Sequence, residues 1–158
     1  VHFIGFFTHL IDIIDFYLLH LSCRKPLLPN PITYKKMNLT KKIVLAEDNS
    51  ILSKLLQFKL EKEGYHLLIA ANGKEAVDLI EDNNPDMILT DIMMPFISGL
   101  EVISHVRNKL EMKTPIVVFS SAGQEEMVLN AFNLGATDFM SKPFSPNELI
   151  IRIKRLMQ

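Results

Sequence analysis

From residue 42 onward the chain alternates short, unbroken apolar runs with longer stretches in which apolar residues recur every three or four positions. Unbroken short runs mark strands buried on both faces, and the wider spacing marks helices that bury one face. Strands are expected at 43–46, 66–70, 87–91, 115–120 and 137–140, and helices at 50–63, 73–81, 99–109, 125–134 and 146–156. In the first helix Ile51, Leu52, Leu55, Leu56 and Leu60 are read as the inward face, and in the second Ala76, Val77 and Ile80. Gly64 and Gly135 stand where left-handed caps would end two of the helices, and Ser145-Pro146 opens the last. Five strand–helix units in strict alternation predict an α/β domain. Its form would be a doubly wound, five-stranded parallel sheet with helices on both faces.

Residues 1–36 do not share this pattern. Val1 to Leu21 is strongly apolar, but Asp12 and Asp15 interrupt it. One such residue at mid-membrane costs roughly 2.5–3.5 kcal/mol, so no membrane span is expected. No Lys or Arg precedes the run, which argues against a secretory signal, and His20 spoils a lipoprotein-type box at Leu21-Ser22-Cys23. An amphipathic helix, with Gly5, His9, Asp12 and Asp15 near helical spacing, stays open as a reading. So does an upstream stretch translated from too early a start, because Met37 stands just before the first patterned strand. Pro26, Pro29 and Pro31 read as an extended linker. The chain is therefore divided into an apolar extension with a Pro-rich linker, 1–36, and a folded domain, 37–158.

Charge changes the picture little. The formal net charge is −1; without the four bases and two acids of the prefix, 13 bases and 16 acids remain, net −3. Bulk charge gives no support for binding nucleic acid or a membrane surface. The single cysteine, Cys23, excludes an internal disulfide framework and a cysteine-built zinc site. The short basic run Arg152, Lys154, Arg155 reads as a solvated helix face.

The candidate chemistry lies at strand ends. In open α/β sheets, ligands bind outside the carboxyl ends of the strands. Glu47-Asp48 directly follows the first strand, Asp91 closes the third, Ser120 the fourth, and Lys142 follows the fifth. Each has an ordinary alternative. Asp48 or Asn49 could cap the first helix, Asp91 could be a turn residue before Met94-Pro95, and Gly99 a mere helix boundary. Ser120 could bond locally, and Lys142 could be a solvated lysine. Three clustered carboxylates would repel one another, however, unless a cation sat among them, and Mg²⁺ prefers carboxylate oxygens. The Lys142-Pro143 bond is of the kind that can be cis.

These residues fall into motifs that resemble one family. Val44-Leu45-Ala46-Glu47-Asp48-Asn49, Thr90-Asp91-Ile92-Met93-Met94-Pro95 with Gly99, Ser120-Ser121-Ala122, and Gly135-Ala136-Thr137-Asp138-Phe139 leading to Lys142-Pro143-Phe144 occur in the order of a bacterial response-regulator receiver domain. The resemblance covers about 41–158. It implies the flavodoxin-like strand order 2-1-3-4-5 and a phosphorelay switch rather than a metabolic enzyme. Asp91 would accept a phosphoryl group from a sensor histidine kinase or phosphotransfer protein. Glu47, Asp48, Asp91 and the Met93 backbone carbonyl would hold Mg²⁺ or Mn²⁺, and Ser120 and Lys142 would bind the phosphoryl oxygens. Ser120 and Phe139 would form the switch, where Thr and Tyr are commoner. Met93 and Ala122 offer nothing to orient attacking water, so slow self-dephosphorylation is expected.

The last helix runs to Gln158, where the sequence ends. Output is accordingly expected through an unidentified protein partner, from a stand-alone, cytoplasmic regulator that binds no nucleic acid. Two other chemistries fit less well. A haloacid-dehalogenase-type phosphatase needs a general acid where Met93 stands, and Glu47-Asp48 would repel a flavin phosphate. A receiver-like scaffold that is never phosphorylated is the remaining alternative.

Overall fold

Residues 40–158 are described by a computed structural model, so the expectations for residues 1–36 lie outside the described residues. The strands are β1 (Lys42–Ala46), β2 (His66–Ala70), β3 (Met87–Asp91), β4 (Ile116–Ser120) and β5 (Asp138–Ser141). The helices are α1 (Ser50–Lys62), α2 (Gly73–Asn83), α3 (Gly99–Ser104), α4 (Glu125–Asn133) and α5 (Pro146–Leu156). All strands pair in parallel in the order β2-β1-β3-β4-β5. Among the described residues no helix is long and apolar enough to cross a membrane.

Alternation along the strands sorts the core into two layers. Val44, Ile88 and Val118 point to one face with α2 and α3, whereas Ile43, Leu45, Leu89 and Phe119 point to the other with α1 and α5. Both faces of β3 are covered, and all five of its residues are buried. The unbroken apolar run in the sequence has that cause.

Two expectations need correction. In α1 the stripe Leu52, Leu56, Leu60 packs inward, but Ile51 is 80% and Leu55 44% exposed. Each lies about 100° around the helix from the residue that follows it, beyond the arc one sheet face can cover. Ser53, on the opposite flank, is buried in their stead. The third helix is not uniform either. Its α-helical part stops at Ser104 and a π-helical turn, His105–Lys109, completes it.

The π turn presents Arg107 to three carbonyls. Its Nε donates to Gly135 at 3.0 Å, and its terminal nitrogens donate to Met112 at 2.7 Å and Thr114 at 2.8 Å. One guanidinium thus ties the end of α3 to the turn after α4. Lysine has neither the fork nor the number of fixed donors. Arg107→Lys is expected to cost about 2 kcal/mol, through two or more carbonyls left without a partner, read as a lower urea midpoint at unchanged slope.

Candidate functional site

The site is built where β1 and β3, the neighbours at which the strand order reverses, run out together. Ala46 pairs with Thr90, so Glu47 and Asp91 leave adjacent strands at one level. Asn49 then starts α1, its side-chain oxygen accepting from the amides of Ile51 at 3.0 Å and Leu52 at 3.1 Å. Capping is therefore done by Asn49. Asp48 remains exposed and uncommitted to the helix. On the other side, Ser98 and Glu101 form a reciprocal capping box that fixes the start of α3 after the Asp91 loop.

Lys142 comes from the far edge of the sheet. Its amide donates to the Ser120 carbonyl at 2.6 Å, and the Lys142–Pro143 peptide is cis. Its ammonium donates to Glu47 Oε2 at 2.7 Å and to Asp91 Oδ2 at 2.6 Å. The remaining carboxylate oxygens take backbone donors. Asn49 N–H reaches Glu47 Oε1 at 3.2 Å, and Met93 N–H reaches Asp91 Oδ1 at 3.3 Å. Beneath the ammonium lies the Phe119 ring, its centroid 5.9 Å away, with Phe144 packed on it at 4.7 Å.

The charges follow from this geometry. Burial pushes the Glu47 carboxyl pKa upward, and Lys142 offsets that only in part. For Lys142 burial acts downward, but its bonds to Asp91 and Glu47 outweigh it and the pKa is raised. The lysine is therefore cationic at neutral pH. One oxygen each from Glu47, Asp48 and Asp91 lies within 4.8 Å of the others. With all three ionised their charge is −3, and the Lys142 ammonium brings it to −2. An all-carboxylate set with this net charge fits a hard divalent cation in both charge and donor type.

Ser120 ends β4 buried, on the wall of a cavity of about 360 Å³ that also touches Phe132 and Phe139. Phe139 is partly exposed and meets Phe132 edge to face at 5.9 Å. Glu47, Asp48, Asp91 and Lys142 are thus brought together, and Ser120 and Phe139 share one cavity beside them. The sequence reading had no place for Phe119 under the lysine, since nothing in a buried apolar run marks the residue that will carry a cation on its ring. The basic run on α5 is paired throughout. Arg152 bonds Asp138 and Glu148, Arg155 bonds Asp138, and Lys154 bonds Glu63.

Residues 43–154 match the family described as the response regulator receiver domain. The chain belongs to that family. Among solved structures, the Francisella response regulator 1452 receiver domain is 34% identical, with a TM-score of 0.69 over 75% of this chain and 97% of that one. The chemotaxis response regulator CheY4 of Vibrio cholerae is 28% identical, with a TM-score of 0.69 over 74% of this chain and 98% of that one. The signal receiver domain of a signal transduction histidine kinase from Syntrophus aciditrophicus is 27% identical, with a TM-score of 0.69 over 75% of this chain and 90% of that one. The receiver domain is a signalling module of two-component systems, not a metabolic enzyme. The fold is the one these relatives share, with strand order 2-1-3-4-5.

Proposed function

We propose that Asp91 accepts a phosphoryl group from a phosphohistidine on a sensor histidine kinase or phosphotransfer protein. The observation that carries this is the Lys142 ammonium held on Asp91 Oδ2 at 2.6 Å, beside two further carboxylates at the end of the central strands. An Asp91 oxygen attacks phosphorus, the phosphorus–nitrogen bond of the donor breaks, and an acyl phosphate forms. Positioning and charge neutralisation are most of what this transfer requires. Lys142 supplies one positive charge to the phosphoryl oxygens and Ser120 a hydroxyl donor. Mg²⁺ or Mn²⁺, held by Glu47, Asp48, Asp91 and the Met93 carbonyl, would supply further neutralisation of the phosphoryl charge.

The added charge then biases a local rearrangement. Ser120 shifts toward the phosphoryl group and Phe139 turns into the cavity they share, which alters the face formed by α4, β5 and α5 for a downstream protein. In the same reading the regulator is cytoplasmic, signals through contact with a downstream protein, and uses residues 37–158, with 1–36 as an extension. Detecting the intact N-terminal peptide by mass spectrometry of the native protein decides whether that extension is natural.

Incubation with acetyl phosphate and Mg²⁺ is expected to add one phosphoryl mass, and Asp91→Ala to abolish it. A protein that gains none would be a receiver-like scaffold, and a gain that survives Asp91→Ala would place the acceptor elsewhere. Met93, 54% exposed, and Ala122, also exposed, carry no group able to orient water. The acyl phosphate is therefore expected to persist for minutes or longer in Mg²⁺ without partners. Loss within seconds would refute that.

A further inference from the structure

The connection from β4 to α4 contains one hydrogen bond that neither element needs. Ser121 N–H donates to the side-chain oxygen of Gln124 at 2.6 Å. Gln124 stands at the start of α4, yet its side chain caps no helix amide. It turns back to the strand end instead, across Gly123, whose φ of +82° makes the reversal. Both residues lie over the cavity that Ser120 and Phe139 share. Ser121 is bonded covalently to Ser120, so any shift of the Ser120 backbone toward Asp91 carries the Ser121 amide with it, away from the Gln124 side chain.

We propose that Gln124 is a latch: its side-chain oxygen holds the Ser121 amide, and through it Ser120, in the position of the unmodified protein. The inference rests on Asp91 being the acceptor and adds a residue that resists switching. Gln124 touches neither phosphoryl group nor metal in this account and acts only through Ser121, as a positioning residue. The bond is made in the unmodified state and lost on switching, so it biases the equilibrium toward the unmodified state. One such bond, partly open to water, shifts a two-state equilibrium about five-fold. The room for the movement exists already, because the cavity below the loop holds about 360 Å³.

Gln124→Met keeps the length and packing of the side chain but removes the oxygen, and Gln124→Ala removes the side chain altogether. Beryllofluoride with Mg²⁺, a stable stand-in for an acyl phosphate, serves as the probe on the full chain. Both variants are expected to bind it about five-fold more tightly than the wild type, with Mg²⁺ affinity unchanged. The amide proton of Ser121 should move upfield in the unmodified variants as the short bond is lost. A residue that merely supported the loop would change thermal stability and leave the beryllofluoride affinity alone. Tight binding by the wild type with no gain in either variant overturns the latch by itself. A wild-type protein that takes up neither beryllofluoride nor a phosphoryl group overturns the acceptor assignment and the latch with it.

Discussion

Replacing Gly99 with alanine is expected to lower the thermal unfolding midpoint by about 10 °C and to slow phosphoryl uptake at the same time. A Cβ on Gly99 would collide with the carbonyl oxygen of Asp91 and stand 3.0 Å from both its carbonyl carbon and the Ile92 Cα. All three are backbone atoms, so no side chain can swing aside. The Gly99 amide is also bonded to the Ile92 carbonyl at 2.9 Å, which holds the two segments together. Either α3 must lift away or the end of β3 must move. Overpacking of this kind costs about 3 kcal/mol, and in a domain of this size that corresponds to about 10 °C. Because the displaced carbonyl is that of Asp91 itself, the loss of stability and the loss of reactivity share one cause. Gly73→Ala is the useful comparison. Its Cβ would come within 2.8 Å of the Ile97 side chain and closer still to the Ile97 carbonyl, but Ile97 lies in a loop. That variant should lose stability and keep its rate of uptake from acetyl phosphate. If Gly99→Ala melts within a degree or two of the wild type, close approach is not what this glycine provides.

The second large effect is expected for Lys142→Met. The substitution leaves Glu47, whose side chain is fully buried, and Asp91 facing each other without their shared ammonium. Removing one partner of a buried pair costs about 3–5 kcal/mol, and the 19% exposure of Lys142 reduces this. A loss of about 2 kcal/mol at neutral pH is expected. Its pH dependence has a definite sign. Burial already holds the Glu47 pKa above the ordinary glutamate value, and without Lys142 it rises further. Between the ordinary and the raised value the folded chain binds a proton that the unfolded chain does not, so the stability of the variant falls as pH rises through that window. Mild acid should therefore restore much of the loss. In the wild type the raised Lys142 pKa keeps the lysine charged until pH climbs well into the alkaline range. Added Mg²⁺ should also rescue the variant, since a divalent ion replaces the missing charge among the carboxylates. A urea midpoint that responds neither to acid nor to Mg²⁺ would show that the loss comes from packing.

These two residues also show where sequence reasoning reaches and where it stops. Asp91 and Glu47 were legible because an apolar strand ending abruptly in a carboxylate is a local event, and the parallel order of the strands follows from their alternation with helices. That the Lys142 ammonium donates to both Glu47 and Asp91 was not legible. It depends on β5 lying beside β4, with the lysine reaching across β4 to the ends of β1 and β3, a distance of 95 residues in sequence to Glu47. The outward Ile51 and Leu55 failed for a related reason. Their spacing satisfies a helical stripe as well as that of Leu52, Leu56 and Leu60, and only the sheet decides which stripe it covers. The π turn at His105–Lys109 has no sequence signal because its visible correlate is the set of carbonyls that Arg107 meets in the folded chain.

The strand order has a consequence for how the site breathes. β1 and β3 each have a neighbour on both sides, whereas β5 is a four-residue edge strand paired only with β4. Edge elements with few partners open locally at much lower cost than the centre of a sheet. Glu47 and Asp91 therefore ride on the centre of the sheet, and Phe139 and Lys142 on or just beyond one of its two edges. Local opening of that edge would draw the ammonium away from carboxylates that stay in place, and a cation from solution would then have its most open approach.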